Sequence, residues 1–353
     1  MNLPHSVTIV EVGPRDGLQN EAHFVPTEHK IELIHRLSET GLKRIEITSF
    51  VHPRAIPQLQ DSEEIVKRIE RKAGIIYSTL VPNEKGLERA LAARVEEIAL
   101  FVSASETHNQ RNVKMSISDS LRGFRNITEK ALTHGIRMRG YVVTAFGCPY
   151  EGRINPGKVE SIVDVYKSLG VHEIALGDTT GMANPVQVSR MVSRICRRLE
   201  KTGLALHFHD TRGVALANIL AALQEGVTVF DGSIGGLGGC PYAPGASGNV
   251  ATEDLVNMLE EMGIGTGIDL QRLISCAKYA RTIIQKDLPS HLLSGGTICW
   301  EGEGNLMEKR ERRFVKDRRS GGDRRKFDAP HYEGRERRSG RDRRSRVERR
   351  KSA

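Results

Sequence analysis

His207 and His209 stand two apart in the segment LHFHD. Along an extended chain successive side chains alternate faces, so both imidazoles point the same way and form a donor pair for a divalent cation. The pair alone is more often two structural or incidental strand histidines. The segment EVGPRDGLQNE, residues 11–21, adds a guanidinium at Arg15 and a carboxylate at Asp16. A hard carboxylate beside two imidazoles suits Mg2+, Mn2+ or Zn2+. The planar donor fork of an arginine suits an enolate or carboxylate oxygen. Without the histidines, GPRDG reads as a surface turn.

A third segment, GLGGCPYAPGASGN over 236–249, is dominated by Gly and Pro. Such residues make a poor core and suit a loop that moves or lies against a ligand. Cys240 sits in its middle, where a thiol can donate a proton once the loop closes; the alternative is an inert buried thiol. Asn249 at the end of the loop offers a neutral oxygen ligand. Glu46 in IEITSF and Asp178 in LGDTTG are carboxylates that can orient a ligand, a water or Arg15, or can sit as satisfied buried acids. Asp210 is expected to face away from the histidines and fix its loop, and Glu253 to favour the positive end of a helix that it opens.

These residues need strands to hold them. Eight apolar runs have the composition for it: 7–12, 44–50, 75–81, 97–104, 137–146, 173–179, 205–210 and 229–235. Amphipathic helical stretches follow them, those after the second and third run falling near 61–72 and 83–93. The runs lack strict polar alternation, as expected for parallel strands buried on both faces. Eight β/α units in roughly 250 residues match the size of a TIM (β/α)8 barrel, whose active sites lie at the C-terminal ends of the strands. Asp16, Glu46, Asp178 and His209 all fall at such ends. A doubly wound open sheet gives the same local pattern, so the count alone does not separate the two. Extra C-terminal helices are expected from 252 to about 288, packed on the barrel.

The chain has 353 residues, and its formal charge of +9 is unevenly spread. Residues 309–353 hold 20 Lys/Arg and 8 Asp/Glu, a net +12, which leaves −3 for residues 1–308. The body is mildly acidic, and the overall basicity is no argument for nucleic-acid binding. The tail is built from degenerate basic units, RRSGGDRRKF, RERRSGRDRRS and VERRKS, too poor in apolar residues to offset the entropy of ordering. The division expected is therefore a catalytic barrel over 1–290, a linker over 291–308 and a disordered Arg-rich tail over 309–353. The tail is either simply solvated or an electrostatic contact with nucleic acid, acidic protein or anionic lipid. Its interspersed acids and few aromatic residues, Phe314, Phe327 and Tyr332, weaken the nucleic-acid case, and its partner is not named by the sequence. No run of 18 apolar residues exists, so no membrane span is expected. The first residues carry neither a basic, apolar leader nor an Arg/Ser-rich presequence. The five cysteines, at 148, 196, 240, 276 and 299, are scattered and odd in number, which fits a reducing, cytoplasmic location.

Taken in order, EVGPRDGLQNE, IEITSFVHP, LGDTTG, HFHDT and GLGGCPYAPGASGNVATEDLV resemble the 3-hydroxy-3-methylglutaryl-CoA lyases, over roughly residues 5–290. The resemblance implies a TIM barrel with a divalent metal, Mg2+ or Mn2+, that splits the thioester into acetyl-CoA and acetoacetate. It implies Asp16, His207, His209 and Asn249 as metal ligands and Arg15 as the residue that stabilises the enolate. Cys240 becomes the loop thiol, Glu46 and Asp178 supporting carboxylates, and His207 a candidate proton shuttle as well as a ligand. It further implies an acyl-CoA substrate and a homodimer. Two features depart from the family pattern. Arg212 stands where related enzymes usually carry a tyrosine, which leaves open a longer or branched 3-hydroxyacyl-CoA as substrate, and the basic tail has no counterpart. A condensing enzyme that makes isopropylmalate or homocitrate is disfavoured by DGLQ and by the Cys240 loop. A binding module on an inactive barrel is disfavoured because every proposed ligand is present.

Overall fold

The computed structural model describes residues 3–239 and 248–297. Eight strands, β1 Thr8–Glu11, β2 Arg44–Ser49, β3 Ile76–Leu80, β4 Glu97–Ser103, β5 Arg137–Val143, β6 Glu173–Asp178, β7 Gly203–Phe208 and β8 Val229–Gly232, close into one barrel in chain order. Every neighbouring pair is parallel, including the closing pair β8 and β1, where Thr8 lies opposite Val229. The open doubly wound sheet is thereby excluded, because no barrel strand is left as an edge.

Between the strands run α1 Thr27–Ser38, α2 Ser62–Arg68, α3 Glu84–Ala92, α4 Glu106–Val113, α5 Ile117–Thr133, α6 Pro156–Ser168, α7 Pro185–Cys196 and α8 Ala215–Gln224. Their local signals are plain. Asn155 and Asn184 cap α6 and α7 with their side chains, and a proline fills the first helical position of each. In α5, Ser120, Phe124, Ile127, Thr128 and Ala131 recur at three- and four-residue intervals on the buried face.

The strands are buried on both sides, so their polar positions are covered as well as their apolar ones. Ile45, Ile47, Ile98, Leu100, Val102, Ile174, Leu176 and Phe208 face the helices in one large core. Leu80, Ala99, Tyr141, Ala175 and Ala205 make a smaller cluster of their own. The barrel also encloses charge. Arg44 donates through Nη1 to both Glu173 oxygens at 2.9 and 2.8 Å and through Nη2 to Glu97 at 2.9 Å. Arg139, only 1% exposed, forms ion pairs with Glu173 and Asp231 at 2.9 and 2.6 Å. Buried guanidiniums and carboxylates must be paired with one another, and here they are.

Past the barrel, α9 Thr252–Glu261 and α10 Leu270–Ile284 are the extra C-terminal helices. The stretch read as the start of a linker carries a short helix, α11 His291–Gly295. Asp254 of α9 holds its N-terminus, accepting from Ser290 Oγ at 2.9 Å, from the His291 amide at 2.8 Å and from the Leu292 amide at 2.9 Å. Such amide bonds to a carboxylate are an N-cap supplied from another helix, a tertiary contact that local composition does not announce. Among the described residues no helix is long and apolar enough to cross a membrane, and Cys148, Cys196 and Cys276 are free thiols. The expected disordered tail and the Cys240 segment 240–247 lie outside the described residues.

Candidate active site at the barrel mouth

The chain leaves β1 through a five-residue π-helical turn, Gly13–Gly17, closed by the Gly17 amide on the Val12 carbonyl at 3.3 Å. Single π turns are rare and frequently mark functional sites. This one sets Arg15 and Asp16 side by side at the mouth. Across the barrel, β7 delivers His207 and His209 to the same face. Donor atoms of Asp16, His207 and His209 lie within 4.8 Å of one another, close enough to share one ion. Asn249 joins them from the segment after β8, which folds back along the end of β7. The Asp210 amide donates to the Gly248 carbonyl at 2.7 Å and the Val250 amide to the Phe208 carbonyl at 3.1 Å. Asn249 Nδ2 then donates to Asp16 Oδ2 at 2.8 Å and to the Leu237 carbonyl at 3.0 Å. The approach is tight. Gly238 has φ of +116°, and a Cβ there would lie 2.6 Å from Asn249 Nδ2.

Two donor atoms here are buried and find no hydrogen-bond partner among the described residues: Asn249 Oδ1 and His209 Nδ1. Buried polar atoms without partners are costly and uncommon, and both are atoms that bind a divalent cation. Electrostatics point the same way. Burial pushes the Asp16 carboxyl up, but Arg15, His207 and His209 outweigh it and hold it well below the usual carboxylate range. Burial, with His207 beside it, pushes His209 down to about 3. An ionised Asp16 and a neutral His209 are the forms that coordinate metal.

Arg15 is held from two sides. Its Nε donates to Glu46 Oε1 and its Nη1 to Asp16 Oδ1, the latter at 2.5 Å. Glu46 comes from β2, whose register shifts between Glu46 and Thr48, a bulge of the kind that re-aims side chains beside active sites. The other Glu46 oxygen lies 3.1 Å from Tyr141 Oη. Tyr141 Oη also lies 3.0 Å from Asp231 Oδ2, and Asp231 Oδ2 lies 3.2 Å from His207 Nδ1. Burial opposes a charge on Asp231, yet Arg139 and His207 bring its carboxyl down to about 2.

The remaining sequence candidates divide. Asp178, fully buried at the end of β6, turns its carboxyl onto the amides of Met182 at 2.8 Å and Ala183 at 3.1 Å. Burial raises it to about 6 even so, against the pull of those amides and of His207 and Arg212. It organises its own loop, with His207 and Arg212 near enough to be felt as charge. Asp210 does fix its loop, accepting from the Ala215 amide at 2.9 Å. Arg212 reaches the β6 loop, where Nη1 donates to the carbonyls of Thr180 at 2.8 Å and Gly181 at 2.9 Å. Glu253 is fully buried and accepts from the Gly235 amide at 3.0 Å, so it does more than favour a helix dipole. Cys240 is outside the described residues. Arg139, Tyr141 and Asp231 were not among the candidates. Their signal was present: charged and hydroxylated side chains at alternate positions of strands whose other face is apolar.

A family model described as HMGL-like matches residues 6–279. The hydroxymethylglutaryl-CoA lyase YngG of Bacillus subtilis is 51% identical over 293 residues, 83% of this chain and 98% of that protein. The mitochondrial hydroxymethylglutaryl-CoA lyase of Homo sapiens is 51% identical over 277 residues, 78% of this chain and 85% of the human protein. Among solved structures, an HMG-CoA lyase of Acinetobacter baumannii in complex with coenzyme A and 3-methylmalate superimposes with a TM-score of 0.80 at 49% identity, covering 84% of this chain and 97% of that one.

Proposed function

The chain belongs to the HMGL-like family, and from that premise we propose that it cleaves 3-hydroxy-3-methylglutaryl-CoA into acetyl-CoA and acetoacetate. The observation that carries the reading is the convergence of Asp16, His207 and His209 within 4.8 Å. A divalent cation, Mg2+ or Mn2+, held by these three and Asn249 would polarise the C3 hydroxyl of the substrate and ease loss of its proton. The unpartnered Asn249 Oδ1 and His209 Nδ1 support that fit.

The rest of the chemistry is assigned to the chain. As the hydroxyl proton leaves, the O–H pair forms the ketone of acetoacetate, the C2–C3 bond breaks, and its electron pair passes into a thioester enolate. Arg15, fixed by Glu46 and Asp16, is the guanidinium that holds this developing charge. It needs no reorganisation when the charge appears, because two carboxylates already fix its plane. His207 has one ring nitrogen, Nδ1, committed to Asp231. Only Nε2 is left, so His207 cannot coordinate and take the hydroxyl proton at once. We assign it the ligand role and give the hydroxyl proton to a water. Cys240, on the loop after β8, protonates C2 of the enolate, and Glu46 and Asp178 support the site without touching the reacting atoms. The enzyme is further read as a homodimer on the strength of the family resemblance, and as cytoplasmic from its five scattered cysteines, with the partner of the tail, if it has one, unassigned.

Incubating the full chain with 3-hydroxy-3-methylglutaryl-CoA and Mg2+ or Mn2+, and assaying acetyl-CoA and acetoacetate with and without EDTA, tests the proposal. Both products in equal amounts, suppressed by EDTA, are expected. No product, or faster cleavage of a longer or branched 3-hydroxyacyl-CoA in the same assay, overturns the substrate assignment.

A further inference from the structure

The two histidines of the proposed cation site are not held alike. His209 Nδ1 is buried and has no hydrogen-bond partner among the described residues. His207 Nδ1 sits 3.2 Å from Asp231 Oδ2, and the Asp231 side chain is only 1% exposed. A carboxylate can only accept, so Nδ1 carries the hydrogen, and in the neutral ring that binds a cation the lone pair stands on Nε2, at the far side of the ring. Asp231 in turn cannot swing. Its Oδ1 accepts from Arg139 Nη2 at 2.6 Å, and its Oδ2 lies 3.0 Å from Tyr141 Oη, whose one hydrogen it shares with Glu46. The Tyr141 ring stands edge-on to the His207 ring, with centroids 6.2 Å apart and planes at 87°. Arg139 is anchored by Glu173, and Glu173 by Arg44. An unbroken line of buried groups thus runs from the lower strand ends to one ligand at the mouth.

We propose that Asp231 is a positioning residue for the cation site: held by Arg139 and Tyr141, it fixes the tautomer and tilt of His207 so that Nε2 is presented to the ion. The inference rests on the cation reading of the site. It makes His207 the ligand whose coordinating nitrogen is set by a buried partner. Partners of this kind behind metal-binding histidines raise metal affinity by about 10–100-fold.

Mn2+ binding to the EDTA-stripped full chain, followed through the electron paramagnetic resonance signal of free Mn2+, tests this in three backgrounds. Asp231→Asn is compared with its parent in the natural sequence, in His209→Ala and in His207→Ala. Weakening of about 10–100-fold is expected in the first two backgrounds. In His207→Ala, Asp231→Asn should leave the remaining affinity within about twofold, since there is no imidazole for it to place. A merely structural role of Asp231 predicts equal losses in all three backgrounds and overturns the proposal, as does unchanged affinity in the natural background. If Asp231→Asn does not fold, Tyr141→Phe takes its place in the same cycle. It removes the hydroxyl that Asp231 shares with Glu46 and that accepts from Arg139 Nη1, and it spares the Arg139–Asp231 ion pair, so a loss of about fivefold that vanishes in His207→Ala is expected, and unchanged affinity, or a loss that persists in His207→Ala, overturns the proposal. Failure of the natural chain itself to bind Mn2+ is a different result, and it overturns the cation reading beneath this inference.

Discussion

At the scale of single residues, the site is a set of donors whose charge states are fixed by their neighbours. Asp16 stays ionised because Arg15 and both histidines outweigh its burial, and His209 stays neutral because burial and His207 disfavour its charge. Removing one ligand therefore acts first on the cation. Asp16→Asn is expected to lower Mn2+ affinity and to leave the EDTA-treated protein folded by circular dichroism; retained affinity would take Asp16 out of the ligand set. Cys240→Ser tests the other half of the chemistry. If the thiol is the acid that protonates C2, turnover falls about 10²–10⁴-fold while metal content is unchanged, and an unaffected rate removes Cys240 from the mechanism. Gly238 illustrates how little room the site allows. Gly238→Ala places a Cβ against Asn249 in a left-handed backbone. A stability loss above about 1 kcal/mol is expected in urea unfolding, together with weaker cation binding as Asn249 is displaced.

At the scale of elements, the seam between β1 and β8 is closed by a buried acid. Both oxygens of Glu11 are used: Oε1 accepts from the amides of Gly13 at 2.7 Å and Ile234 at 2.8 Å, and Oε2 accepts from Thr252 Oγ1 at 2.6 Å. One side chain thus ties the π-helical turn, the β8 loop and the start of α9. Burial nevertheless raises Glu11 to about 8 and the neighbouring Glu253 to about 7. The sign of the consequence is definite. From the ordinary carboxylate value up to about 8 the folded chain holds protons that the unfolded chain has lost, so stability falls as pH rises through that range. The urea midpoint is expected to be lower at pH 8.5 than at pH 6, and Glu11→Gln should flatten the slope. A midpoint that rises with pH over that interval would refute the assignment of these acids as protonated.

At the scale of the whole molecule, a mildly acidic body and a strongly basic C-terminal stretch share one chain. The elements that build the proposed site end well before residue 298, and the last described helix, α11, is held by Asp254 of α9. Truncation after Met307 is accordingly expected to leave a folded enzyme with the same melting temperature and turnover. Loss of soluble protein on truncation would show instead that the barrel depends on the tail.

Much of this was open to reading in the sequence. The eight apolar runs fall on the eight strands to within a few residues, because a parallel strand buried on both faces announces itself by composition alone. The spacing of His207 and His209 fixed their common face, because side chains on a strand alternate with a period of two. Closure of the sheet was not legible, since a barrel and an open sheet share every local pattern and differ only in whether β8 meets β1. Nor was the fate of the buried acids. Glu11, Asp178, Asp231 and Glu253 are alike in sequence, yet one closes a seam, one caps a loop, one backs a histidine and one braces the turn after β8. Which amide, guanidinium or imidazole stands within 3 Å of a carboxylate is set by chain segments up to about 240 residues away. Such pairings are decided only when the tertiary structure removes water from them, and that desolvation is what makes each partner matter.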